Sequence, residues 1–184
     1  MFKRNDDQYV NGAFTWFIGS VEDINDTENL NRVKVRAYGY YDNPEIKTAD
    51  LPWATVMMPV TSASIKGNGG NHHLEVGSWV VGFFRDGPSA QDPMVMGSIA
   101  TQTDGTQDIP STSSTTNKVH HTKAGHKIEF ENKEGDEKIT VQHAKGATIT
   151  IDEDNNVSIA NGGNTNITSS GTITLTSAKK TRII

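Results

Sequence analysis

At 184 residues, with 34% hydrophobic and 21% charged residues, the chain has room for one or two domains but only a modest core. A formal net charge of −5 argues against a phosphate-binding surface, which needs clustered Lys and Arg, and the lack of cysteine excludes disulfides and thiolate chemistry. Gly, Thr, Ser and Asn are abundant, helical periodicity is absent and no apolar run is long enough for a membrane-spanning helix, so an all-β fold is expected.

Residues 1–11 read as a polar N-terminal arm; no apolar stretch follows Lys3 and Arg4, so a signal peptide is not expected. Residues 12–100 carry all three tryptophans and five short strand-like runs, at 14–21, 32–38, 54–57, 78–84 and 94–99. Turn signals such as Asp42-Asn43-Pro44, Gly67-Asn68-Gly69-Gly70 and Asp86-Gly87-Pro88 separate them. Five short strands in so few residues suit a small Greek-key barrel of the OB type. In Arg32-Val33-Lys34-Val35-Arg36, alternation sends the valines inward and the basic residues outward. The expected barrel core is Trp16, Val33, Val35, Trp53, Trp79 and Phe83. Residues 78–84 are more continuously apolar, as in a strand covered on both sides, and Gly82 marks a bulge or a close backbone approach.

Residues 101–118 are too rich in Ser, Thr, Gln and Asp to bury anything and read as a linker. Residues 119–138 supply lead-in strands, in which Ile128 and Phe130 alternate with charged residues. From Ile139 a ladder begins. Val141, Ile149, Val157, Thr165 and Ile173 recur every eight residues, and Ile151, Ile159, Ile167, Leu175 and Ile183 follow two positions behind. Each pair has the i, i+2 spacing that places two side chains on one face of a strand.

A repeat this short cannot bury its own apolar pair. The expected solution for residues 139–184 is an intertwined triple-stranded β-helix in a homotrimer, each octad forming one side of a triangular prism. Its core would be Ile139, Val141, Ile149, Ile151, Val157, Ile159, Ile167, Ile173, Leu175 and Ile183. Strand stacking at about 4.8 Å gives a stem on the order of 25 Å long, and closing the prism removes lateral sheet edges. The alternative is an antiparallel meander, whose hairpins also recur every eight to twelve residues.

Several segments carry a family resemblance: Trp16-Phe17-Ile18-Gly19-Ser20 and on to Asp23, then 31–36, 51–64, 77–88 and 92–99. Residues 125–132 and 143–146 extend it into the ladder region. The chain resembles the central spike (hub) proteins of contractile-tailed phage baseplates and their relative VgrG from type VI secretion. The resemblance implies a homotrimer whose OB domains sit within a ring of tail hub protein, with the β-helix directed at the bacterial envelope. It also implies a virion component of the tail baseplate, assembled in the host cytoplasm. Where spikes of the best-known type carry a lysozyme domain, this sequence has only residues 101–118. The end at Thr181-Arg182-Ile183-Ile184 lacks a His-x-His tip, so a separate spike-tip protein is an expected partner.

Candidate chemistry is sparse. Glu129, Glu131, Glu134, Asp136 and Glu137 cluster, but alternation puts Glu129 and Glu131 on a solvated strand face without the cleft a glycosidase needs. The histidines, at 72, 73, 120, 121, 126 and 143, show no metal-ligand spacing, although three-fold symmetry could triple an axial one. The glycine-rich 67–70 segment lacks the Lys and helix of a phosphate loop and reads as flexible. Most aromatics fall at strand positions expected in the core, which disfavours oligonucleotide binding. The expectation is a non-enzymatic structural spike with no catalytic, metal or cofactor site and no nucleic-acid partner. The alternatives are a spike with peptidoglycan hydrolase activity and a VgrG-like type VI secretion spike.

Overall fold

The computed structural model describes residues 14–71 and 73–178. The expected arm 1–11, His72, Thr181 and the ladder residue Ile183 lie outside the described residues. Packing divides the chain after Asp108 into two units, Met1–Asp108 and Ile109–Ile184.

In the first unit β1 (Thr15–Asp23), β2 (Val33–Ala37), β3 (Trp53–Val56), β4 (Trp79–Phe84) and β5 (Pro93–Ile99) close into a barrel. Its strand order is β1-β2-β3-β5-β4, with β3 and β5 parallel and the other neighbours antiparallel. This is the five-stranded OB arrangement. The interior is filled by Phe17, Val21, Val33, Val35, Ala37, Ala54, Val80, Phe84 and Val95, with Tyr41 and Leu51 from the β2–β3 connection. Gly82 sits at a β-bulge, where a β-carbon would lie 2.2 Å from the Met94 carbonyl oxygen and 2.6 Å from the Phe17 ring. Only glycine lets β4 approach β5 and Phe17 that closely.

Two expectations are corrected here. Trp16 and Trp79 are 56% and 40% exposed and lie on the outside of the barrel. Alternation gives the interior of β1 to Phe17 and that of β4 to Val80 and Phe84, so their neighbours must face out. Phe83 alternates with them and is half-buried, as is Trp53. Lys34, expected in solvent, is instead buried. The β2–β3 connection folds over the outer face of β2, where Lys34 Nζ donates to the Ala49 carbonyl and lies 5.0 Å from the Trp53 ring centre. Arg36 ties the same connection down, donating to the Tyr41 and Ile46 carbonyls (both 2.9 Å) and to both carboxylate oxygens of Glu22.

The expected linker is not featureless. Gln102–Thr103 (β6) and Thr106–Gln107 (β7) pair across a turn at Asp104 and Gly105, both with positive φ. That is the backbone twist a two-residue hairpin favours. Asn117 and Lys118, also placed in the linker, begin the next sheet.

In the second unit β8 (Asn117–His121), β9 (Lys127–Glu131), β10 (Lys138–Gln142), β11 (Thr148–Ile151) and β12 (Val157–Ala160) form an antiparallel meander in sequence order. Tight turns join them; Gly146 and Asn155 take up positive φ where the backbone reverses. The register sets Val141 opposite Ile149 and Ile139 opposite Ile151. An eight-residue interval here is therefore a hairpin interval. Through Ala160 the ladder strands pair within one chain, which corrects the expectation that every strand from Ile139 onward pairs with another protomer. Among described residues, 161–178 form no strand in the single chain, and Ile167, Ile173 and Leu175 are exposed there.

Candidate assembly surfaces

Registers across the meander align side chains into two rows. One runs Lys118, Phe130, Ile139, Ile151, Val157; the other runs His120, Ile128, Val141, Ile149, Ile159. Eight of these ten are large and apolar, and their exposures run from 39% for Ile151 to 68% for Val157. The four apolar strands β9 to β12, about 4.8 Å apart and each advancing about 3.4 Å per residue over about five residues, make a face of roughly 300 Å². A contiguous apolar face of that size is the mark of an interaction surface. The expected stem residues Ile139, Val141, Ile149, Ile151, Val157 and Ile159 are thus brought together. Ile128 and Phe130, which the sequence assigns to the lead-in strands, belong to the same face, and their i, i+2 alternation is the signal that marks it.

The opposite face is polar yet better covered. Lys127 Nζ donates to Glu129 (2.7 Å), Asn117 Nδ2 donates to the same carboxylate (2.7 Å), and the Glu129 side chain is only 12% exposed. The Lys127 hydrogen bond, seconded by Asn117, holds the Glu129 carboxyl below its ordinary value despite burial. Pro110, Ser111 and Thr112 border this face beside His121, Lys127 and Gln142. Glu129 is therefore a structural ion pair rather than a solvated charge, and the bare face is the apolar one.

The histidines split. His126 and His143 bring their rings 4.6 Å apart, and their Nδ1 atoms accept backbone N–H bonds from Ala144 (3.3 Å) and Lys145 (3.1 Å). An Nδ1 acceptor fixes the proton on Nε2, the opposite of what an Nε2 metal ligand requires. Among the described residues no three His, Asp or Glu side chains converge on a metal position. The glycine-rich loop closes on itself rather than staying open: Ile65 and Asn68 exchange backbone hydrogen bonds (3.1 and 2.9 Å), and Gly70 N–H donates to Ser62 Oγ.

On the barrel, the outward residues of β1, β4 and β5 form a second apolar surface. Trp16 aligns with Phe83 and Met94, and Ile18 with Val81 and Gly97. Phe14 packs 5.4 Å from Phe83 and Tyr38 packs 5.5 Å from Trp79. Several aromatics expected in the core are thus outside it. None of these rows contains Lys or Arg, the residues that phosphate contacts need.

An OB-type barrel followed by a sheet with one bare apolar face defines an assembly component rather than a self-contained domain. Residues 33–171 match the Gp5 N-terminal OB domain family, and the chain belongs to that family. It is similar to the pre-baseplate central spike protein Gp5 of Enterobacteria phage T4, 38% identical over 87 residues, covering 43% of this chain and 15% of the relative. It is also similar to protein Gp5 of Vibrio phage KVP40, 38% identical over 93 residues, covering 46% of this chain and 22% of that relative. The chain thus matches less than a quarter of either relative's length.

Proposed function

We propose that the chain is a structural central spike of a contractile phage tail baseplate, acting as a homotrimer. The observation that carries this is the double row of apolar side chains left bare on the meander, within a chain of the Gp5 OB family. Three such faces turned to a common axis bury one another and form a closed prism without lateral edges. Residues 161–178, which form no strand in the single chain and expose Ile167, Ile173 and Leu175, continue the stem as the intertwined part. The work is mechanical: bending the stem means breaking many ladder bonds together, so contraction force passes to the bacterial envelope. No catalytic step is assigned.

The outer aromatic surface of the barrel supports docking to a ring of tail hub protein, since buried Trp, Tyr, Phe and Met anchors dominate such interfaces. A separate tip protein completes the needle, and the particle is assembled in the host cytoplasm before lysis. Two experiments test this reading. Antibody-labelled electron microscopy of purified virions should place the protein on the tail axis at the baseplate; label elsewhere on the particle would refute it. Zymography of the purified protein should show no clearing of peptidoglycan, and a lytic band would favour the hydrolase alternative.

A further inference from the structure

The two turn-bearing edges of the meander carry opposite charge. One edge is made by the turns 122–126 and 143–147, which hold Lys123, Lys145, His126 and His143 and no carboxylate. The other is made by the turns 132–137 and 152–156, which hold Glu134, Asp136, Glu137, Asp152, Glu153 and Asp154 against the single Lys133. Asp136 is engaged by Lys138 (2.8 Å) and Asp152 by Asn156, whereas Glu134, Glu153 and Asp154 are exposed at the rim. Lys123 and Lys145 are exposed at the opposite rim.

We infer that in the assembled stem the basic edge of each meander docks against the acidic edge of the next copy, so that charge fixes the three sheets parallel and head to tail. The inference rests on the trimer reading above and adds the rule by which copies choose their orientation. With the apolar faces turned to an axis that follows the strand order, the strands lie across that axis and the turns become the prism corners. Each corner then joins one copy's lysine turns to its neighbour's carboxylate turns, a heterologous contact that closes around the ring. The heights interlock as well. The Lys145 turn joins β10 to β11, while the acidic turns join β9 to β10 and β11 to β12. Lys145 thus falls between two acidic turns of the neighbour, about one strand spacing (~4.8 Å) from each along the stack. Pairing two copies about an axis along the strands would instead bring like edges together, which electrostatics opposes.

The test uses the full chain and its mass in solution at low ionic strength, where rim charges are least screened. K123E/K145E makes both edges negative, and E134K/E153K/D154K makes both positive. Each set should raise the concentration of half-assembly about tenfold or more. Combining the two sets exchanges the edges and should bring assembly back to within about threefold of the wild type, a rescue that mere damage to folding cannot produce. Unchanged assembly in the single sets, or a combined variant as defective as either, would overturn the edge inference while leaving the trimer intact. A wild-type chain that stays monomeric would overturn the trimer reading itself and this inference with it.

Discussion

Val141 and Ile149 stand opposite each other across β10 and β11, and both side chains project from the face that the chain leaves bare. Ile128 and Ile159 extend that row on either side, so the strip crosses four strands without a polar interruption. The single chain cannot keep such a strip from water.

Placing a charge in the strip should therefore abolish assembly. In a trimer, Ile149→Asp sets three carboxylates around one axis in an apolar surrounding, which is far costlier than a lost methyl group. Size-exclusion chromatography with light scattering should show a monomer while near-ultraviolet dichroism of the barrel is unchanged. Ile149→Ala should act in the same direction but more weakly, by about 2–5 kcal/mol per buried site. An intact trimer in Ile149→Asp would exclude this face from the interface.

Gly82→Ala should unfold or severely weaken the barrel. The new methyl group would meet the Met94 carbonyl oxygen at 2.2 Å and the Phe17 ring at 2.6 Å, both fixed in the core. Overpacking of this kind costs about 1–3 kcal/mol, and more where backbone must move. Thermal melting gives the answer. Gly97→Ala, with nothing within 4 Å of its added carbon, is the control expected to be mild.

Glu22 makes the barrel acid-sensitive. Its carboxyl is lowered from the ordinary value chiefly by the Arg36 hydrogen bond, with Thr48 assisting against the opposing effect of burial. A carboxyl lowered in the folded state contributes stability above its unfolded value, and that stability is lost as pH falls through the lowered folded value. Glu22→Gln should flatten the acid limb of the stability curve and cost about 1.5–3 kcal/mol near neutral pH, since it removes charge-assisted bonds. Urea unfolding across the acid range measures both.

Tyr41 should titrate late. Burial, aided by the nearby Asp86 charge, pushes its phenol up to about 12, and its hydroxyl donates to the Ala90 carbonyl. The stability tied to the neutral phenol is full below the unfolded tyrosine value and is lost as pH rises through about 12. The absorbance titration of the wild type minus that of Tyr41→Phe should isolate a step near 12. A difference step at the ordinary tyrosine value would contradict the buried geometry.

Much of this architecture was legible in the residues. The five barrel runs, the inward Val33 and Val35 and the close approach at Gly82 follow from alternation and turn chemistry, which are local. The faces of Trp16 and Trp79 were not legible: β1 and β4 are apolar on both sides, so hydrophobicity alone could not choose between them, and the packing of Phe17 against Phe84 did (ring centres 4.9 Å). The i, i+2 spacing of Ile149 and Ile151 marks two side chains on one strand face, and both stand in the rows of the meander. An interval of eight, however, fits a hairpin as well as a winding prism, and only strand register separates them. The edge charges are hidden in the sequence because the basic turns at Lys123 and Lys145 alternate along the chain with the acidic turns 132–137 and 152–156, and only the meander gathers each sign along one side.

Sedimentation equilibrium of the full chain over a dilution series tests most directly the proposal that three copies bury the bare face of the meander. A species of three times 20.0 kDa that persists on dilution is expected. A single species of 20.0 kDa at every concentration would contradict it.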